Sequence, residues 1–299
     1  MECTINGKIY RYVKDAIHGG STEDRERYFQ LAKKVFNLDF HPWYDSGCCG
    51  DSFMAYTLYD GDVAVSSAGV VVGEFEWKGE LKRYSQLSTV MTDPGYRKHE
   101  LNRWLIDKVL CDWRDESDMV YLYANDSVVN YYPKFGFEKV TEYAYSLPIA
   151  RKEGAVVRKL DLSKHADRTL LAKKYETNNP FSALPMCNDF SLLMFHCITF
   201  LSDKIYYVKD YDAVVIAEHD EQQLFCYDIY AHGKCKLRDV LSAVAGAETA
   251  LAVLGFTPNK PNDCRCEVFL EDDHTAFVLQ SRQNLFAEDK VRLPALSRA

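Results

Sequence analysis

Apolar and polar residues alternate over residues 9–13, a period of two that predicts a strand, and His18-Gly19-Gly20-Ser21 breaks it. The period then becomes helical. Thr22 has the chemistry of an N-cap, Glu23 and Asp24 bring acidic charge to the first turn, and Tyr28, Leu31, Ala32, Val35 and Phe36 recur on one face. Residues 53–58, 63–72 and 84–91 read as strands. Turn chemistry at Asp60-Gly61-Asp62 and Lys78-Gly79 joins them into an antiparallel meander that Asp93-Pro94-Gly95 ends. Leu101, Trp104, Leu105, Val109 and Leu110 mark a helix, and residues 119–124 a short buried strand. A short helix over 128–135, stopped by Gly136, and a strand over 138–147 complete the series.

Residues 151–154 form a charged, Gly-containing boundary, after which the opening pattern returns. A strand over 156–162 leads to a helix in which Leu171-Ala172-Lys173-Lys174 repeats Leu31-Ala32-Lys33-Lys34. Residues 205–208, 213–217 and 224–230 read as a second meander, 236–245 as a helix and 251–256 as a strand. A four-residue identity arises easily by chance, but a repeated order of elements does not. The pattern therefore predicts two domains, residues 1–150 and 155–299, the second a divergent copy of the first.

Length and composition agree with that division. The chain has 299 residues, 47% of them hydrophobic and 27% charged, which suits two folded units with ordinary cores. Its net charge is −8 and no Lys/Arg run is long enough to track a phosphate backbone, so nucleic acid is not an expected partner. No apolar stretch reaches the length that spans a bilayer and the first residues carry no signal-peptide core, so no membrane partner is expected and the cytoplasm is the expected location. The ten cysteines read as reduced thiols in that setting. A metal site drawn from Cys226, His232, Cys235 and Cys264 or Cys266 is conceivable, but the spacings match no zinc pattern and no metal is expected.

Two blocks carry candidate chemistry. In the first, a strand ending at Met91 and Thr92 delivers a loop, Pro94-Gly95-Tyr96-Arg97-Lys98-His99-Glu100, that opens a helix at Leu101 and Asn102. A helix start has unpaired N–H groups and the positive end of a dipole, and Arg97 and Lys98 add charge, which together suit a pyrophosphate. In the second block, Asn125 at a strand end precedes Tyr132 by seven residues, and Lys134-Phe135-Gly136-Phe137 follows. With Pro94-x-Tyr96-Arg97, this order resembles the GNAT superfamily of acetyl-CoA-dependent N-acetyltransferases. The resemblance implies an α/β (α+β) fold with a mixed, mostly antiparallel sheet flanked by helices, followed by a second, degenerate GNAT-like half, as in two-domain bacterial members.

The resemblance also implies roles. Backbone groups around Met91 and Thr92 would pair with a pantetheine arm, and the amides of Arg97, Lys98, His99, Glu100, Leu101 and Asn102 would hold the pyrophosphate. Asn125 would end the strand beside the acetyl-CoA co-substrate, and Tyr132 would protonate the departing thiolate; the alternative for Tyr132 is a core ring with a wet hydroxyl. Glu100 departs from the family loop, which has Gly there. Its carboxylate would compete with a pyrophosphate unless turned to solvent, and the rival reading is a non-catalytic binding module of the same fold. For the base that deprotonates the amine, Glu74 and Glu76 are candidates, as are a water held by Ser88 or Tyr84 and, in multidomain relatives, the C-terminal carboxylate, here Ala299. The expected acceptor is a small-molecule or peptide amine, with a slight lean toward cationic amines from the acidic balance. The His232-Gly233-Lys234 loop of the second half lacks the accompanying Asn and Tyr, so a walling role is expected there. No motif identifies the acceptor or an oligomeric state.

Overall fold

The computed structural model describes residues 1–17, 19–232, 234–280 and 283–299; His18 of the expected break and Gly233 of the expected loop lie outside them. The first half contains β1 (Glu2–Ile5), β2 (Lys8–Ala16), α1 (Thr22–Phe36), α2 (His41–Asp45), β3 (Phe53–Asp60), β4 (Val63–Trp77), β5 (Glu80–Thr92), α3 (Leu101–Trp113), β6 (Met119–Ala124), β7 (Phe137–Lys139) and β8 (Tyr143–Pro148). The second contains β9 (Val157–Lys159), α4 (His165–Tyr175), β10 (Met186–Cys187), α5 (Phe190–Thr199), β11 (Ile205–Val208), β12 (Ala213–Asp220) and β13 (Gln223–Tyr230). It closes with α6 (Leu237–Val244), β14 (Leu251–Leu254), β15 (Arg265–Val268), β16 (Thr275–Leu279) and α7 (Leu285–Glu288). Among the described residues no helix is long and apolar enough to cross a membrane.

The meander appears as expected, in longer strands. β2 to β5 pair antiparallel in sequence order, while β5 and β6 run parallel, with α3 as the crossover between them. Alternation decides which side chains meet α3. Val70, Leu87, Val120, Leu122 and Ala124 pack with Leu101, Leu105, Ile106 and Val109 in one buried cluster. Tyr84, Tyr121 and Tyr123 belong to a separate cluster on the opposite side, and α1 packs with Phe53, Val71 and Met91.

The two sheets share a pattern of pairing, but the boundary between the halves of the chain is not the boundary between the sheets. The first sheet runs β1-β2-β3-β4-β5-β6-β16-β7, and the second runs β15-β8-β14-β13-β12-β11-β9. Each contains one parallel pair, β5 with β6 and β13 with β14, followed by a strand that comes from the other half. Thus β8, placed by the sequence within residues 1–150, fills the second sheet between β14 and β15. In return, β16 fills the first between β6 and β7. The single strand expected over 138–147 is accordingly two strands in two sheets.

Local departures have local causes. The N-cap of α1 is Ser21, not Thr22: the Ser21 hydroxyl accepts from the Asp24 amide at 3.1 Å. The helix expected over 128–135 is two 3₁₀ turns, Asp126–Val128 and Tyr132–Phe135, because Pro133 has no N–H to continue an α-helix. β1 is joined to β2 by Asn6-Gly7, both at positive φ (49° and 79°), a hairpin signal the alternation alone did not reveal.

The exchange makes each sheet incomplete without the other half. A fragment of residues 1–150 is expected to lack a cooperative urea transition by circular dichroism, with the transition restored in the full chain. A fragment unfolding as cooperatively as the full chain would contradict this.

Candidate active site

Parallel pairing between β5 and β6 ends at Leu87 with Leu122. Beyond it β5 continues to Thr92 against β4 alone, so residues 88–92 keep one backbone edge unpaired. A bulge shapes this edge: Ser67 faces Met91 and Gly69 faces Ser88, leaving Thr89 and Val90 opposite Ala68. Thr89 is left-handed (φ 43°), and its Oγ1 is 3.2 Å from the Tyr28 hydroxyl. Gly69 leaves the room; a Cβ there would collide with Thr89 Oγ1 and lie 2.6 Å from Phe53 Cζ. The strands therefore open into a V.

The loop after β5 is held at both ends. Asp93 accepts from the Gly95 amide (2.9 Å) and from Lys34 (2.6 Å), and the Lys34 ammonium holds its carboxyl below the usual range. Tyr96 donates to Asp60 at 2.6 Å, and the Asn6 side chain donates to the His99 carbonyl at 3.1 Å. Arg97 and Lys98 are exposed and in no ion pair among the described residues. Lys98 and Glu100 are left-handed (φ 67° and 62°). Glu100 occupies the N-cap of α3 without capping it; its carboxylate is 56% exposed and points to Arg103 at 3.5 Å, leaving the helix-start amides free of it. Asn102 is drawn sideways, its Oδ1 accepting from the buried Ser66 hydroxyl at 2.7 Å.

A cavity of about 1190 Å³ passes through the V. Leu101, Asn102, Tyr131 and Tyr132 border it on the α3 side; Gln86, Ser88, Tyr123, Arg298 and Ala299 border it on the other. Tyr132 is packed by Phe137 and Phe277, and no bond to its hydroxyl occurs among the described residues. Burial, with a smaller effect from Tyr131, pushes its phenol up to about 12, so it stays protonated at neutral pH. Met91, Thr92, Arg97, Lys98, Glu100, Leu101, Asn102, Asn125 and Tyr132 thus share one cavity, which His99 does not border. The Asn125 amide is engaged, donating to Asp273 Oδ2 at 2.8 Å.

Glu74 and Glu76 lie elsewhere. They sit near the far end of β4, where Glu74 pairs with Cys187 and accepts from Asn188 at 3.0 Å; neither borders the cavity. What the sequence reading only touched on is the tail, residues 291–299. The Arg292 amide donates to Thr257 Oγ1 (2.8 Å) and the Ala295 amide to the Gly255 carbonyl (2.7 Å), so the tail occupies the second sheet just past the last β13–β14 pair, Cys226 with Leu254. The repeated strand order makes that spot the counterpart of the first V, and the tail fills it. Farther on, Tyr121 donates to the Ser297 carbonyl (3.4 Å). His196 Nε2 meets the Arg298 carbonyl at 2.7 Å. Burial pushes the His196 pKa down to about 4, so it is neutral and Nε2 carries the donated proton. Ala299 is clamped by Gln86, whose Nε2 donates to its carbonyl oxygen at 2.9 Å and whose Oε1 accepts from its amide at 3.0 Å. No group of three or more His, Cys, Asp or Glu able to hold a metal ion occurs among the described residues.

Splayed parallel strands, a bulge beside the opening and a helix start aimed at its mouth define the acyl-CoA N-acyltransferase class of fold. Residues 16–140 match the acetyltransferase (GNAT) domain family model, so this segment of the chain carries a GNAT-type domain. Similar solved structures include a probable N-acyltransferase from Enterococcus faecalis V583, with 12% identity over 89% of this chain and 72% of that one and a TM-score of 0.58. Eis1 from Mycobacterium abscessus has 14% identity over 89% and 73%, with a TM-score of 0.56. A GCN5-related N-acetyltransferase from Kribbella flavida has 16% over 90% and 71%, with a TM-score of 0.54. These likenesses extend over both halves of the fold. No curated protein matches the chain in sequence.

The left-handed N-cap yields a test. Both Glu100→Gly and Glu100→Ala delete the carboxylate, but only Gly adopts this conformation without strain. The Gly variant is expected to be more stable by about 1 kcal/mol in urea denaturation, reversing the usual helix preference; a more stable Ala variant would contradict the geometry.

Proposed function

We propose that the chain transfers an acetyl group from acetyl-CoA to a primary amine by direct attack, without a covalent enzyme intermediate. The observation that carries this reading is the V past Leu87 and Leu122, joined in one cavity to the free start of α3 and to Tyr132. The unpaired edge of residues 88–92 suits the amides of a pantetheine arm, and the helix-start amides with Arg97 and Lys98 suit a pyrophosphate. Glu100 supplied the case for a module without a cofactor. Its carboxylate lies toward Arg103 at 3.5 Å, which weakens that case.

Backbone N–H groups at the bulge would stabilise charge developing on the thioester oxygen. Tyr132, a neutral donor, would hydrogen-bond the departing thiolate and protonate it; at about 12 it is a weaker acid than a free phenol, so donation matters before full transfer. For the amine's proton, Glu74 and Glu76 have the weaker case, since neither borders the cavity. A water held by the Ser88 hydroxyl, which is buried without a partner among the described residues and borders the cavity beside Gln86, is the base this reading assigns. The acceptor would approach from that side, away from the pyrophosphate. A cytoplasmic, small-molecule setting suits such chemistry.

Isothermal titration is expected to show acetyl-CoA binding to the folded chain. Tyr132→Phe should lower kcat about 100-fold and Gln86→Leu about tenfold, both leaving the acetyl-CoA Kd within about twofold. Absence of binding by the folded chain would overturn the reading, and a fall in affinity rather than kcat would make Tyr132 or Gln86 a binding or packing residue.

A further inference from the structure

The tail carries two arginines to the side of the cavity opposite α3, and they are not equivalent. Arg298 is ion-paired at both terminal nitrogens: Nη1 donates to Glu271 at 2.6 Å, Nη2 donates to Glu142 at 2.9 Å, and the guanidinium lies 4.3 Å from the Tyr123 ring centroid, with Nε alone left without a partner. Arg292 has no side-chain acceptor among the described residues. It is 3% exposed, with its guanidinium 3.8 Å from the Phe269 ring centroid and 5.6 Å from that of Phe225, and it borders the cavity. Its Nε and Nη1 are buried without a hydrogen-bond partner.

A charge taken out of water without acceptors is costly, and stacking on aromatic faces leaves the N–H edges of a guanidinium unsatisfied. Burial, then the neighbouring Arg298, pushes the Arg292 pKa down to about 10, which still leaves it cationic at neutral pH. Nor is the side chain a loose one. The Arg292 backbone is tied on both sides to Thr257 Oγ1, which accepts from its amide at 2.8 Å and donates to its carbonyl at 3.0 Å. A fixed, buried, unpaired guanidinium on a cavity wall is built for an anion.

The surroundings select which anion. Glu142 and Glu271 both pair with Arg298 and leave Arg292 without a carboxylate, while their own charge nearby opposes a phosphate dianion more than a monoanion. The phosphates of acetyl-CoA have their own site at Arg97, Lys98 and the α3 start, across the sheet. Resting on the transferase reading above, we propose that the acceptor is an amino acid: its carboxylate pairs with Arg292, its side chain lies along Phe225, which borders the cavity, and its amine faces the thioester. This departs, at the level of the site, from the slight lean toward cationic amines that net charge suggested.

The test compares free L-amino acids with their carboxamides as acceptors for the full chain, using thiol release from acetyl-CoA. Each pair differs only in the charge that Arg292 would meet. The acid is expected to exceed the amide in kcat/KM by about ten- to a hundredfold for at least one side chain, and Arg292→Gln should abolish the ratio while still turning over the amide. Equal kcat/KM for acid and amide across the panel in the wild-type chain, with turnover present, overturns the Arg292 assignment and leaves the transferase reading standing. No turnover of any amine with acetyl-CoA demonstrably bound overturns both. Should Arg292→Gln not fold, the wild-type ratio decides.

Discussion

Everything at the site depends on where one parallel strand pair stops. Had β5 and β6 stayed paired past Leu87 and Leu122, the backbone of residues 88–92 would be satisfied within the sheet and there would be no opening. The separation is maintained from both flanks. The bulge at Thr89 and Val90 diverts β5, with Gly69 making room and Tyr28 anchoring Thr89. On the other flank, β16 draws β6 into antiparallel pairing through Thr275 and Val278, and the Asn125 side chain ties the end of β6 to Asp273. An open edge that would otherwise be a liability is thereby kept as a binding surface.

The strand exchange gives the second half its purpose. It completes the first sheet with β16, and its own V is closed by the tail, which continues across to place Arg292, Arg298 and Ala299 on the acceptor side. On this account the second half serves as a wall and a support. Its buried Asp228 illustrates the shift: burial raises the carboxyl to about 6, but Asn179, Tyr230 and the Ile229 amide all bond it, which makes it a core group with nothing left to offer a ligand.

Legibility in the sequence followed the range of the interaction. The meander, α3 and the repeat rest on local periodicity and were readable, as were the strand end at Asn125 and the loop from Arg97 to Asn102. The exchange was not, because residues 137–148 look like one strand until β7 and β8 are seen in different sheets. The orientation of Glu100 could not be inferred from its position, since only the left-handed backbone sends the carboxylate outward. Glu74 and Glu76 were chosen for proximity along β4, but a long strand carries its far end out of reach of the opening. Arg292 and Gln86 had no local signal at all; Gln86 meets Ala299 from the other end of the chain, and Arg292 takes its meaning from Phe225, Thr257 and Phe269 in other elements.

The central claim is that the edge left free past Leu87 and Leu122 is the acetyl-CoA site. Amide hydrogen exchange of the full chain with and without acetyl-CoA measures it most directly. The account predicts slower exchange at residues 88–92 and 101–103 on binding, with little change at 227–230 and 255–257, where the tail already occupies the matching position. Acetyl-CoA bound with no protection at residues 88–92, or with protection confined to the second sheet, would contradict it.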